Sequence, residues 1–216
     1  KIQEGNIYKA AVDVLIKLNQ IKNIEKYHIK KYDDEILLNE VLLFVEWYLP
    51  FIKKKHLNKI EITDFKKNWL QIFSNLSTNK TLILRDYHSE NLMILPNNQI
   101  GIIDFQDALI GSPAYDLQSL LEDVRRNISD ELIKKSLKYY LDHCLYDRAE
   151  VIKDYQILSL QRNIKIIGIF TRLAFRDQKQ IYLKFLPKLI NLVKNRLDNF
   201  SDIKFNDLNK LISKYL

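Results

Sequence analysis

The stretch from residue 81 to residue 107 restricts the fold of this chain more than any other part of its sequence. It contains three short apolar runs, at residues 82–84, 92–95 and 100–103. The turn sequence Pro-Asn-Asn-Gln joins the last two runs, a pattern that predicts a β-hairpin. Because a hairpin brings its two outer ends together, we expect Asn91 and Asp104 to be neighbours in space. Asp86, on the loop that leads into the hairpin, is expected at the same end.

These three side chains have the chemistry that phosphoryl transfer from ATP requires. The reaction needs a carboxylate that accepts the proton of the attacking hydroxyl, and oxygen ligands for magnesium ions that neutralise the phosphates. In kinases the base and a metal-binding Asn share one loop, five residues apart, and a second ligand is the Asp before a Phe. Asp86 and Asn91 have this separation, and Asp104-Phe105 follows the hairpin. We therefore predict Asp86 as the base, and Asn91 and Asp104 as metal ligands.

The same residues carry a resemblance to a known family. Residues 85–91 (RDYHSEN), 103–108 (IDFQDA) and 111–117 (GSPAYDL) resemble the aminoglycoside phosphotransferase and choline kinase superfamily. Within it, the chain is most similar to the bacterial kinases that phosphorylate N-acetylmuramate and N-acetylglucosamine in cell-wall recycling. Residues 44–50 (FVEWYLP) and 161–170 (QRNIKIIGIF) extend that similarity over most of the chain.

The resemblance implies further roles and contains two departures. It implies that Arg85 and Asp116 brace the catalytic loop, although Asp116 is also a good candidate for a helix N-cap. Leu84 stands where the superfamily often has a His that braces the loop. Gln106 stands where protein kinases have the Gly of Asp-Phe-Gly. A change of backbone conformation like the one that protein kinases undergo at that segment is therefore less expected.

Four more residues are candidates for binding the acceptor, each with a structural alternative. His88 could hydrogen-bond a substrate or be a satisfied structural group, and Asp107 could bind a sugar hydroxyl or brace the loop. Trp47 could form an apolar face for a sugar ring, but a place in the core is the more common role of such an aromatic. Arg172, which shares a helix face with Arg176, could reach a lactyl carboxylate or lie on a solvated face.

Apolar spacing predicts that most of the chain is helical. We expect helices over residues 8–19, 35–48 with Pro50 ending the helix, 63–76 with Thr63 as N-cap, 116–121 with Asp116 as cap, 129–141 with Ser129 as cap, 151–174, 181–197 and 207–215. Pro187 is expected either to kink the penultimate helix or to mark its start. The expected fold class is mainly α with a small β-hairpin and no parallel sheet, which is the C-terminal lobe of a protein-kinase-like fold.

The composition of the chain argues against several other classes of protein. The net charge of +7 could favour nucleic acid or a membrane surface, but the basic residues alternate with acidic ones, so we expect neither partner. No apolar run approaches the roughly 20 residues of a membrane span. With Cys144 as the only cysteine, an intrachain disulfide is excluded, and we expect a cytoplasmic protein.

The four glycines do not form a glycine-rich phosphate loop. Since the superfamily resembles two lobes, we expect residues 1–216 to be the C-terminal helical lobe, with the nucleotide-covering lobe absent from this chain. The expected activity is an ATP- and Mg²⁺-dependent phosphotransferase acting on a small amino sugar. This chain alone is expected to be inactive and to self-associate through the exposed lobe interface. The alternatives are an aminoglycoside or choline-type kinase, and a non-catalytic kinase-like interaction domain.

Overall fold

Helices make up most of the polypeptide in the computed structural model, which describes residues 4–198 and 206–216. The α-helices are α1 Glu4–Leu18, α2 Asp34–Leu43, α3 Leu49–Phe51, α4 Lys59–Phe73, α5 Ala114–Leu121, α6 Asp130–His143, α7 Arg148–Phe175, α8 Leu186–Asp198 and α9 Asn206–Tyr215. The strands are β1 Thr81–Ile83, β2 Leu92–Ile94, β3 Ile100–Ile102 and β4 Leu109–Gly111. The expected mainly α fold with a small hairpin is confirmed.

The described strands form two antiparallel pairs. β2 and β3 form the predicted hairpin, in which Leu92 lies opposite Ile102. The second pair, β1 with β4, was not predicted, because β4 is only three residues long and its partner is distant in sequence. An isolated parallel bridge joins Lys31 to Ile110 beside this pair.

The chain divides into two compact units. Unit 1 comprises Lys1–Tyr32 and Ser77–Tyr155, and unit 2 comprises Asp33–Leu76 and Gln156–Leu216. In unit 1, α1 packs against α5 and α6. The core of this unit contains Ala11, Tyr87, Tyr115, Leu117 and Tyr140, all of which are fully buried.

Unit 2 has its own core. The helix α4 contacts both α2 and α9, and the side chains of Phe65 and Trp69 on α4 are fully buried. A buried ion pair, with 2.7 Å between Lys165 Nζ and Glu40 Oε1, lies in this unit. Gln161 also donates to Glu40, so the carboxylate has partners for both oxygens.

Several predictions of helix ends were wrong. Pro50 does not end the second helix, since a π-helical turn over Phe44–Tyr48 leads without a break into α3, which contains Pro50 and ends at Phe51. Thr63 lies inside α4, which begins instead with a capping box between Asn58 and Glu61. Asp116 lies in the first turn of α5 but does not cap it, since the N-cap residue is Pro113.

Other predicted ends are confirmed. Ser129 caps α6 by accepting a hydrogen bond from the Leu132 amide at 3.3 Å. Pro187 is the second residue of α8, so it marks the start of that helix and does not kink it, whereas the predicted start at residue 181 was wrong because Gln180–Phe185 forms a 3-10 helix. Across the described residues, none of the helices combines the length and apolar character needed to cross a membrane.

Candidate functional site

The hairpin brings Asn91 and Asp104 together. Asn91 directly precedes β2 and Asp104 lies two residues beyond β3. The Ile103 amide extends the pairing by donating to the Asn91 carbonyl oxygen at 3.1 Å. As a result, Asn91 Nδ2 lies 3.4 Å from Asp104 Oδ2.

Asp86 is tied to the same cluster through its backbone. Its carbonyl oxygen accepts hydrogen bonds from Asn91 Nδ2 and from the His88 amide, both at 3.0 Å. Its side chain is exposed to solvent. The structure thus brings together the three residues that the sequence predicts for base and metal site.

One residue of the cluster and one residue beside it have a left-handed backbone conformation. Arg85 has φ of 68° and Asp104 has φ of 61°. Positive φ angles are unfavourable for most residues other than Gly, although Asp and Asn tolerate them better. Residues with such angles are concentrated at functional sites. Gln106 Nε2 donates to Asp104 Oδ1 at 2.6 Å, so the residue that replaces Gly helps to orient the carboxylate.

Asp116 holds the beginning of the loop from α5. It is 2 % exposed, and its two carboxylate oxygens accept hydrogen bonds from the backbone amides of Leu84 and Arg85, at 2.6 and 3.0 Å. The Arg85 guanidinium lies 5.8 Å from the centre of the Tyr32 ring. Because a buried carboxylate binds two successive amides, the chain direction at Leu84 and Arg85 is fixed.

Two further anchors of the loop were missed by the sequence analysis. Tyr87 is fully buried and donates from its hydroxyl to the Ala11 carbonyl at 2.8 Å, and burial raises its pKa. Asp123 accepts from the Ser89 hydroxyl at 2.5 Å. Burial alone would raise the pKa of Asp123, but the Ser89 and Arg125 contacts, together with the nearby His88, lower it below its usual value.

The remaining predicted residues have different surroundings. In unit 1, His88 is 7 % exposed, whereas Asp107 is exposed on the loop after β3. In unit 2, the Trp47 ring stacks on the Phe51 ring with 5.3 Å between centroids. Arg172 Nε is buried and has no hydrogen-bond partner among the described residues.

The oxygen donors of the cluster suit magnesium. No group of three or more His, Cys, Asp or Glu side chains in the described ranges is placed to hold a metal ion. Magnesium, however, binds through one or two carboxylates together with phosphate oxygens and water. Asn91 Nδ2 donates to the Asp86 carbonyl and to Asp104 Oδ2, so an ion held by both side chains would replace the contact between Asn91 Nδ2 and Asp104 Oδ2.

Comparisons with known proteins place this geometry in a family. Residues 3–152 match the family described as "Phosphotransferase enzyme family". An N-acetylmuramate/N-acetylglucosamine kinase of Caulobacter vibrioides is 33 % identical over 199 residues, which are 86 % of this chain and 54 % of that protein. The chain spans about half the length of the curated relatives it matches.

Solved structures of low sequence identity share the fold. A choline/ethanolamine kinase family protein from Mesorhizobium loti gives a TM-score of 0.62 at 11 % identity, over 91 % of this chain and 63 % of that one. An amicoumacin kinase, solved with AMP-PNP and Ca²⁺, gives 0.61 at 16 % identity, over 96 % of this chain and 65 % of that one. With the family match covering more than half of its residues, the chain belongs to the phosphotransferase enzyme family.

Proposed function

We propose that the whole protein is an ATP- and magnesium-dependent kinase that phosphorylates a hydroxyl of a small amino sugar, N-acetylmuramate or N-acetylglucosamine. The observation that carries the proposal is the cluster of Asp86, Asn91 and Asp104, in which 3.4 Å separates Asn91 Nδ2 from Asp104 Oδ2. The choice of acceptor rests on the curated relatives, which are named as kinases of these two sugars.

The three residues of the cluster divide two roles in the proposed reaction. Asp86, whose exposed carboxylate is open to a substrate, orients the acceptor hydroxyl and accepts its proton as the γ-phosphoryl group is transferred. Asn91 and Asp104 hold magnesium through side-chain oxygens, and Gln106 fixes the orientation of Asp104. When bound, the metal neutralises charge on the phosphates.

The loop anchors keep these groups in place. Phosphoryl transfer depends almost entirely on positioning and electrostatic stabilisation, so small displacements of the base or ligands are costly. Asp116 and Tyr87 hold the loop from two sides through buried hydrogen bonds. Arg85 acts here through its backbone amide, which is one of the two donors to Asp116.

Within unit 1, acceptor recognition is proposed for two residues. Asp107 is exposed close in sequence to Asp104 and is suited to accept hydrogen bonds from sugar hydroxyls. His88 is suited only to a contact through the small part of its ring that is accessible. Trp47 and Arg172 lie in unit 2, and their contacts with the acceptor stay predictions from the sequence.

We propose that another part of the whole protein supplies the lobe that covers the nucleotide. The relatives are about twice as long as the matched region, and the four glycines of this chain are scattered. Apolar side chains are exposed around the hairpin, where a covering lobe or an adenine ring would bury them: Met93, Ile94, Leu95, Ile103 and Phe105.

The test is an ADP-release assay of the whole protein with N-acetylmuramate, N-acetylglucosamine, kanamycin and choline. We expect the two sugars to give turnover that requires both ATP and magnesium. Kanamycin and choline, which are cationic, should give little turnover. A preference for kanamycin or choline would contradict the proposed acceptor while keeping the chemistry. If ADP release with every acceptor stayed at the level without acceptor, while Mg-ATP bound, the sugar-kinase proposal would fail.

A further inference from the structure

The turn that carries Asn91 has little to hold it in place by itself. Ser89–Asn91 forms a single three-residue 3-10 turn whose N-cap residue, His88, provides no side-chain cap. One backbone bond, from the Asn91 amide to the His88 carbonyl at 2.9 Å, closes the turn. A turn this short is too small to be stable in isolation, so its position depends on contacts from outside.

Asp123 provides those contacts. It lies just beyond the end of α5 and is 3 % exposed. Its Oδ2 atom accepts hydrogen bonds from the Ser89 hydroxyl at 2.5 Å and from the Ser89 amide at 3.3 Å. The first residue of the turn is therefore held twice by one buried carboxylate.

Arg125 extends the hold to the second residue of the turn. Its backbone amide and Nη1 donate to Asp123 Oδ1 at 3.0 and 3.4 Å. Its Nε lies 3.0 Å from Glu90 Oε2. Two of the three residues in the turn are thus tied to the segment after α5, and the third is Asn91.

α5 and the residue two positions after it hold the two ends of the loop. Asp116 in the first turn binds the amides of Leu84 and Arg85, and Asp123, seven residues later, binds Ser89. Both ends of the segment that contains Asp86 are thereby tied to α5 and to the residues that directly follow it.

We propose that Asp123 is a positioning residue that sets the metal affinity of the site by holding Ser89, and through it Asn91, beside Asp104. The proposal rests on the proposed function, since it concerns the same metal site. Partners that orient the ligands of a metal are worth about 10- to 100-fold in metal affinity in other proteins. A change at Asp123 should therefore alter the response to metal more than the response to the sugar.

The variants for the test are Asp123→Asn and Ser89→Ala in the whole protein. Asp154→Asn is the matched control, because Asp154 is also fully buried and binds a backbone amide and a serine hydroxyl, both from Ser77. Asp154 also accepts from the Ser112 hydroxyl, and neither Ser77 nor Ser112 is part of the loop at residues 84–91. Its loss should lower stability without moving Asn91.

Two readouts are needed: binding of Mn²⁺ in the presence of ATP, followed by electron paramagnetic resonance, and the magnesium concentration that half-activates turnover. We expect Asp123→Asn to weaken both by about tenfold or more, and Ser89→Ala by a smaller factor, with activity restored at high metal concentration. The KM for the sugar should stay near that of the unmodified protein. The control should keep the normal metal response even where its melting temperature falls.

The outcomes separate this inference from the proposed function. Unchanged Mn²⁺ binding in Ser89→Ala and in folded Asp123→Asn would overturn the positioning role, whatever the enzyme acts on. Should Asp123→Asn fail to fold, Ser89→Ala decides alone, because it removes only a hydroxyl. An unmodified protein that binds Mn²⁺ and ATP but phosphorylates no sugar would instead count against the proposed function.

Discussion

At the scale of single residues, Arg172 offers a test of acceptor choice. Its Nε is buried without a hydrogen-bond partner among the described residues, whereas the neighbouring Arg176 is paired with Asp177 at 2.7 and 2.9 Å. N-acetylmuramate has a carboxylate that N-acetylglucosamine lacks. We predict that Arg172→Gln raises the KM for N-acetylmuramate about tenfold, the value of one charge-assisted hydrogen bond, and leaves the KM for N-acetylglucosamine nearly unchanged. Arg176→Gln is the control, and equal effects on both sugars would contradict the role.

A second residue-scale prediction concerns pH. Burial opposes ionisation of Asp123, but the hydrogen bonds from Ser89 and Arg125 lower its pKa in the folded protein. A lowered folded pKa stabilises the protein above the unfolded value of about 4, and this contribution disappears as the pH falls through the folded pKa. Urea unfolding should show a larger deficit for Asp123→Asn at pH 7 than at pH 3. A deficit that grew on acidification would contradict the sign of the shift.

Some of the site could be predicted from single residues and some could not. Asp86, Asn91 and Asp104 lie within one short segment, so a local hairpin was enough to predict that they meet. The partners of the loop are far along the chain: Asp116 and Asp123 reach back 32 and 34 residues to Leu84 and Ser89. Spacing within an element carries no signal for such pairs, so the bracing role of Asp116 was expected only from the family resemblance, and that of Asp123 was not predicted.

At the scale of elements, Gly168 marks a close contact between two helical segments of unit 2. A Cβ atom at this position of α7 would lie 2.4 Å from the Leu43 carbonyl carbon and 2.6 Å from its oxygen. Backbone atoms cannot move aside as a flexible side chain can, so overpacking here should cost about 1–3 kcal/mol or more. Gly168→Ala should therefore lower the free energy of unfolding, measured by urea denaturation. Gly5→Ala is the control, because nothing lies within 4 Å of a Cβ there, and similar losses in both would contradict the packing account.

Helices could be predicted from the sequence where their apolar periodicity continues over many turns. The ends of helices were harder to predict, because they depend on local hydrogen bonds. α7 was predicted almost entirely, since its apolar pattern continues over many turns. The start of α4 was missed, although Asn58 followed three residues later by Glu61 is a sequence signature of a capping box. The π-helical turn at Phe44–Tyr48 has no such signature in the sequence.

At the scale of the whole molecule, we predict that the 216 residues alone are helical, inactive and prone to self-association. Positioning and electrostatic groups from a covering lobe supply much of phosphoryl-transfer catalysis. The apolar side chains around the hairpin, with Phe105 58 % exposed, would remain open to solvent. Analytical ultracentrifugation should show association that Phe105→Ser with Met93→Ser reduces. A monomer with turnover equal to that of the whole protein would contradict the prediction.

The central claim is that Asp86 acts on the acceptor, whereas Asp104 acts on the metal-bound nucleotide. It is tested most directly by measuring kcat and Mg-ATP affinity together, the latter by isothermal titration, for Asp86→Asn and Asp104→Ala in the whole protein. The control is Asp64→Asn, which changes an exposed carboxylate on α4.

We predict that Asp86→Asn lowers kcat by about 10²- to 10⁴-fold and keeps Mg-ATP affinity, because a base touches only the acceptor. Asp104→Ala should instead abolish magnesium-dependent nucleotide binding. Identical losses of nucleotide affinity in both variants, or an Asp86→Asn variant with normal kcat, would contradict this division of roles.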